Sequence, residues 1–118
     1  MENKNIIEYC LKKKGAVEEY PFGFNIPVIK VAGKMFALIF EAHGTCARVN
    51  LKCDPVIAEN LREQNSNVLP GYHMNKKHWN TILLDGTLPE RDVFDMIDHS
   101  YDRVVKSLPK RLRESLEE

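Results

Sequence analysis

Pro27-Val28-Ile29-Lys30-Val31-Ala32-Gly33-Lys34-Met35-Phe36-Ala37-Leu38-Ile39-Phe40-Glu41 holds two runs rich in β-formers, residues 27–32 and 35–41, on either side of Gly33-Lys34. A Gly-containing two-residue break between such runs signals a hairpin, so the two should pair antiparallel. Downstream, after Ala42-His43-Gly44, the run from Thr45 to Leu51 alternates. Cys46, Arg48 and Asn50 fall on one face, and Thr45, Ala47, Val49 and Leu51 on the other. A third meander strand follows, because links of two to four residues are too short for a parallel crossover.

Helical patterns flank this meander. Ile6, Ile7, Cys10 and Leu11 form one apolar stripe over about residues 4–14, which Gly15 closes, and Lys12, Lys13 and Lys14 are expected to face the helix dipole. The aromatics Tyr20, Phe22 and Phe24, interrupted by Pro21 and Gly23, suggest a short irregular strand. Asp54-Pro55 starts a second helix over about 55–64, with Val56, Ile57 and Leu61 as its inner stripe and Asn65-Ser66-Asn67 as its end. Residues 68–78 read as a long connection and 79–84 as another strand. Val93, Ile97, Tyr101, Val104 and Leu108 then recur at helical intervals between Pro89 and Pro109, ahead of a short amphipathic tail over 110–116. This order predicts an α+β two-layer sandwich, a mostly antiparallel sheet with helices on one face.

The chain has 118 residues, 43% of them hydrophobic, with 17 Lys+Arg balanced by 17 Asp+Glu. That composition excludes a disordered chain and two full domains, and predicts one domain over residues 1–118. The most apolar run, Met35 to Phe40, is far shorter than the roughly 18 residues that span a bilayer, and residues 1–5 carry no apolar leader. Cys10, Cys46 and Cys53 form no close pair, which fits reduced thiols. A cytoplasmic monomer without membrane contact is expected.

Catalytic templates are missing: there is no GxGxxG, GxxxxGK[ST], HExxH or GxSxG. No catalytic residue, metal or cofactor is therefore assigned. His73 and His78 are five apart, off a common helical face, with Glu63 and Asp85 their nearest carboxylates in sequence, and Cys46 and Cys53 read as packing thiols. Asp95, Asp98 and Asp102 form a solvated stripe that would repel phosphate. The distinctive segment lies between Gln64 and Leu84, a window without Asp or Glu. Within it, Lys76 and Lys77 supply positive charge, His73 and His78 can add more when protonated, Asn75 offers an amide, and Tyr72 and Trp79 offer rings that stack on bases.

The block Leu69-Pro70-Gly71-Tyr72-His73-Met74-Asn75-Lys76-Lys77-His78-Trp79 resembles the signature of the MmcQ/YjbR family. Lys30 to Ala37 is similar to that family's early hairpin, Asn50 to Pro55 to its strand-to-helix step, and Ser100-Tyr101 with Leu108-Pro109-Lys110 to its final helix. The resemblance implies a bacterial protein of CyaY-like, frataxin-like fold, labelled DNA-binding. It does not bring iron binding with it, because helix one sets Glu2 and Glu8 against Lys4, Lys12, Lys13 and Lys14.

Two readings follow. The first is a non-enzymatic, weak and salt-sensitive DNA-binding module centred on Tyr72, His73, Asn75, Lys76, Lys77, His78 and Trp79, with further phosphate contacts from Lys30, Lys34 and Arg48. The alternative is a module for a small aromatic ligand or a protein partner, with its pocket around Tyr72 to Trp79.

Overall fold

The computed structural model describes residues 3–40 and 46–117. Among them lie four helices and six strands, in the order α1 (Asn3–Leu11), β1 (Ala16–Glu19), β2 (Val28–Val31), β3 (Lys34–Phe40), β4 (Arg48–Lys52), α2 (Pro55–Gln64), β5 (Val68–Pro70), β6 (Trp79–Leu83), α3 (Glu90–Lys106) and α4 (Lys110–Glu117). All six strands form one antiparallel sheet in the order β1-β2-β3-β4-β6-β5. The α+β architecture expected from the sequence is present.

The β2–β3 hairpin closes one residue earlier than its sequence suggests. Val31 pairs with Lys34, so the turn is Ala32-Gly33, and both residues have positive φ, 50° and 81°. Two left-handed residues match the twist of paired strands, and Gly33 adopts that conformation without strain. Lys34 therefore begins β3.

Alternation then sorts the sheet into two faces. Ile29, Ala37, Ile39, Val49, Leu51, Val68 and Ile82 join Ile6 and Cys10 of α1 and Val93, Ile97 and Val104 of α3 in the main core. Leu61 of α2 and Leu116 of α4 pack against the same core, so all four helices cover one side. Ser100, fully buried on α3, ties the layers together: its Oγ donates to the Phe36 carbonyl (2.6 Å) and accepts from Lys52 N–H (2.9 Å). The outer face carries a smaller cluster of Val28, Leu38 and Trp79, with Ile26, Met35, Phe40 and Met74 against it.

Several local expectations are corrected. The strand before the hairpin is Ala16–Glu19, and residues 20–24 lie in the link that follows it, where Pro21 has no N–H to give a ladder and Gly23 turns the chain at φ 129°. Helix α1 ends at Leu11, so the three lysines follow it; Lys13 reaches Asp98 at 2.5 Å and does not serve the dipole alone. Residues 68–78 are not all connection, since Val68–Pro70 adds the edge strand β5. On α2 the buried residue is Ala58, while Val56 and Ile57 are exposed. The third strand begins at Arg48, and the part of that run before Cys46 lies outside the described residues.

Candidate nucleic-acid interface

Pro70 ends β5 and Trp79 starts β6, and residues 71–78 between them fold onto the outer face of the sheet. Gly71 makes the close approach possible: its N–H donates to the Trp79 carbonyl at 2.9 Å, and an added Cβ would stand 2.7 Å from Trp79 Cβ. Asn75 then winds the rest, its Oδ1 accepting the N–H groups of Lys77 (2.9 Å) and His78 (3.3 Å). His73 sits at φ 58°, a left-handed position that turns the chain between Tyr72 and Met74.

A buried polar triangle pins the link to the strands. Thr81 Oγ1 donates to Asn50 Oδ1 at 2.6 Å, Asn50 Nδ2 donates to the Tyr72 carbonyl at 2.8 Å, and Tyr72 N–H donates to Thr81 Oγ1 at 2.8 Å. Each bond of such a network in a low-dielectric layer reinforces the others. It holds the Tyr72 ring, 46% exposed, edge-on to Phe40 with 5.9 Å between centroids. The Arg48 guanidinium lies 5.6 Å from the Tyr72 centroid, and the His73 ring 3.9 Å from it.

The structure thus brings Tyr72 and His73 together with Arg48, sets Lys76 and Lys77 beside Pro55, Val56, Glu59 and Arg62 of α2, and separates three other candidates from them. Trp79 is 8% exposed and packs with Val28 and Leu38, so it anchors the link and offers no open ring face. Lys30 is paired with Glu19 at 3.1 Å. Lys34 reaches Ser107 at the end of α3, 3.5 Å away, on the helix-covered side. Lys76 and Lys77 are exposed and make no ion pair among the described residues; Lys76 Nζ donates to the Gly71 carbonyl at 3.0 Å.

One large-scale feature of charge emerges only from the fold. Strands β2 to β6 and the 71–78 link contain no Asp or Glu, but do contain Lys30, Lys34, Arg48, Lys52, Lys76 and Lys77. The helices carry both signs of charge. The signal was available in the composition of residues 20–53, where Glu41 is the one carboxylate, but only the sheet order shows that these strands are neighbours in one sheet.

Other chemistry is weakly represented. Burial pushes the Cys10 thiol up to about 12 and the Cys53 thiol up to about 11, so neither is an activated nucleophile. Among the described residues no three His, Cys, Asp or Glu side chains converge as metal ligands, and no helix is long and apolar enough to cross a membrane. Asp98 departs from the expected solvated stripe, since it accepts from Tyr9 Oη at 2.6 Å and pairs with Lys13. One cavity, of about 450 Å³, lies on the helix side between α2 and α3, and another, of about 420 Å³, is lined by Lys76 and Lys77 together with Pro55, Val56, Glu59 and Arg62 of α2.

A model of the YjbR family matches residues 11–103. This chain belongs to the YjbR family. YjbR of Escherichia coli (strain K12) is 38% identical over 116 residues, 98% of each chain, and YyaQ of Bacillus subtilis (strain 168) is 44% identical over 61 residues, about half of each. A crystal structure of a Deinococcus radiodurans protein superposes with TM-score 0.89 at 33% identity, covering 97% of this chain and 86% of that one. A Pseudomonas syringae crystal structure gives 0.75 at 28% identity, covering 87% of this chain and 98% of that one. No activity is stated in the names of these YjbR-family relatives.

Proposed function

We propose that this YjbR-family protein is a non-enzymatic DNA-binding module that meets the phosphate backbone with the outer face of its sheet. The observation that supports this reading is the missing carboxylates: nothing within strands β2 to β6 or the 71–78 link cancels Arg48, Lys52, Lys76 and Lys77. Cations in such an arrangement displace condensed counterions from phosphate, so affinity falls with added salt. Tyr72, half-exposed and held by the Asn50–Thr81 triangle, supplies an aromatic ring beside Arg48 on which an unpaired base can stack. A formal charge of zero keeps long-range attraction small, and binding is micromolar at its tightest.

Fluorescence anisotropy of labelled duplex and single-stranded DNA across a salt series tests the reading. The double substitution Lys76→Ala/Lys77→Ala should flatten the plot of log affinity against log salt by about two contacts' worth. A slope that does not change, or no binding at low salt, rejects this surface.

A further inference from the structure

On the side of the sheet away from the cationic face, α2 and α3 diverge over β4 and β6 and leave a groove of about 450 Å³. That lies within the range of small-molecule sites, about 300 to 1,000 Å³. Leu51 and Ile82 form its floor, Ile57 and Leu61 of α2 one wall, and Met96 of α3 part of the other. Ile57 is an apolar residue that the helix leaves 43% exposed, and it lines this groove.

Gln64 and Asn65 bring side-chain amides to the end of the α2 wall, the Asn65 Nδ2 already donating to the Leu61 carbonyl at 3.0 Å, while the floor and the α3 wall present acceptors. Asn80, 2% exposed at the floor, donates Nδ2 to the Ala58 carbonyl at 3.4 Å, yet its Oδ1 receives no hydrogen bond. A buried carbonyl oxygen without a donor is a costly feature, and a bound N–H or O–H group would relieve it. On α3, Asp92, Asp95 and His99 follow one another at helical spacing along the groove. Asp92 and Asp95 have no ion pair or hydrogen-bond partner among the described residues, whereas Asp98, on a different face, is held by Lys13 and Tyr9. His99 Nε2 accepts the Asp54 N–H at 3.1 Å, so the ring is neutral and leaves the carboxylates uncompensated. Lys52 borders the groove, but it follows core-facing Leu51, and alternation puts its side chain on the outer face of β4.

From these groups we infer that the α2–α3 groove binds a small organic ammonium compound. Its apolar body rests on Leu51, Ile57 and Met96, its protonated nitrogen sits at Asp92 and Asp95, and a second donor reaches Asn80 Oδ1. The site is independent of the DNA-binding reading, because it uses neither the 71–78 link nor the outer face.

Titration of the isotope-labelled full chain, followed by amide chemical shifts, tests this with tyramine as the probe, which carries an ammonium and a phenol. Tyramine should saturably shift the amides around Leu51, Ile57 and Met96. Its carboxylate counterpart 3-(4-hydroxyphenyl)propionate should bind at least about tenfold more weakly, the scale of a charge-assisted hydrogen bond, and 2-phenylethylamine, without the hydroxyl, severalfold more weakly. Asp92→Asn/Asp95→Asn, two changes on the surface of α3, should cost tyramine about tenfold in affinity, and Ile57→Trp should block the groove. Equal binding of either analogue, unchanged affinity in the doubly substituted chain, shifts confined to the 71–78 link, or no shifts at all would overturn the assignment. Saturating tyramine should leave the DNA anisotropy unchanged, so the two readings fail separately.

Discussion

Ala32 and Gly71 show how single positions set the geometry on which the outer face depends. Ala32 holds φ 50° in the hairpin turn although its Cβ makes that conformation unfavourable. Ala32→Asn converts the turn to Asn-Gly, the pair best suited to two left-handed residues, and should raise stability by about 0.5–1 kcal/mol in urea denaturation. Gly71→Ala acts in the opposite direction. Its new methyl would meet Trp79 Cβ at 2.7 Å and the Trp79 carbonyl oxygen at 2.9 Å, and backbone cannot move aside as a side-chain end can. The loss should be about 1–3 kcal/mol by the same measurement, and the displaced link should also weaken any DNA affinity. The Asn50–Thr81 triangle was not legible beforehand, because neither residue announces that its polar group will turn toward Tyr72, 22 residues away in one case and nine in the other.

Between elements, the step from β4 into α2 couples the helix layer to the sheet. Asp54 caps α2, its Oδ1 accepting from Val56 and Ile57, while its Oδ2 lies 3.7 Å from Arg103 and its N–H donates to His99 Nε2. Burial, and after it the positive Arg103, lowers the His99 pKa from its usual 6.5. A lowered value in the folded state means that the unfolded chain takes up this proton first, so stability is lost as pH falls below about 6.5. Urea midpoints compared at about pH 7 and about pH 5 should therefore drop further in the parent than in His99→Gln, whose amide oxygen can still accept from Asp54. Equal drops would mean that His99 carries no share of the acid sensitivity. The capping Asp54-Pro55 pair and the α3 stripe were plain in the sequence because caps and helical periodicity are local. The strand Val68–Pro70 was not, since three residues ending in proline have no periodicity and become a strand only through pairing with β6.

For the molecule as a whole, what matters is the distribution of charge rather than its sum. The chain is neutral, yet its strands from β2 onward present cations without carboxylates while the helix layer carries both signs. Sheet and helix layers stand about 10 Å apart, close to one screening length in about 0.1 M salt. Asp95→Asn on α3 should consequently leave the salt slope of DNA binding as it is, in contrast to Lys76→Ala/Lys77→Ala, and anisotropy at matched salt concentrations distinguishes the two. The local rules of turn, cap and period sufficed to specify from the sequence the hairpin meander, the helices and the α+β class, because each depends on neighbours a few residues apart. Tertiary structure alone decided that Trp79 is buried and Tyr72 is not, that Lys34 turns toward α3, and that the unpaired acceptors of Asn80, Asp92 and Asp95 border one groove. The physical reason is that burial and electrostatic partnership are properties of surfaces brought together across the whole chain, and composition along a segment does not contain them.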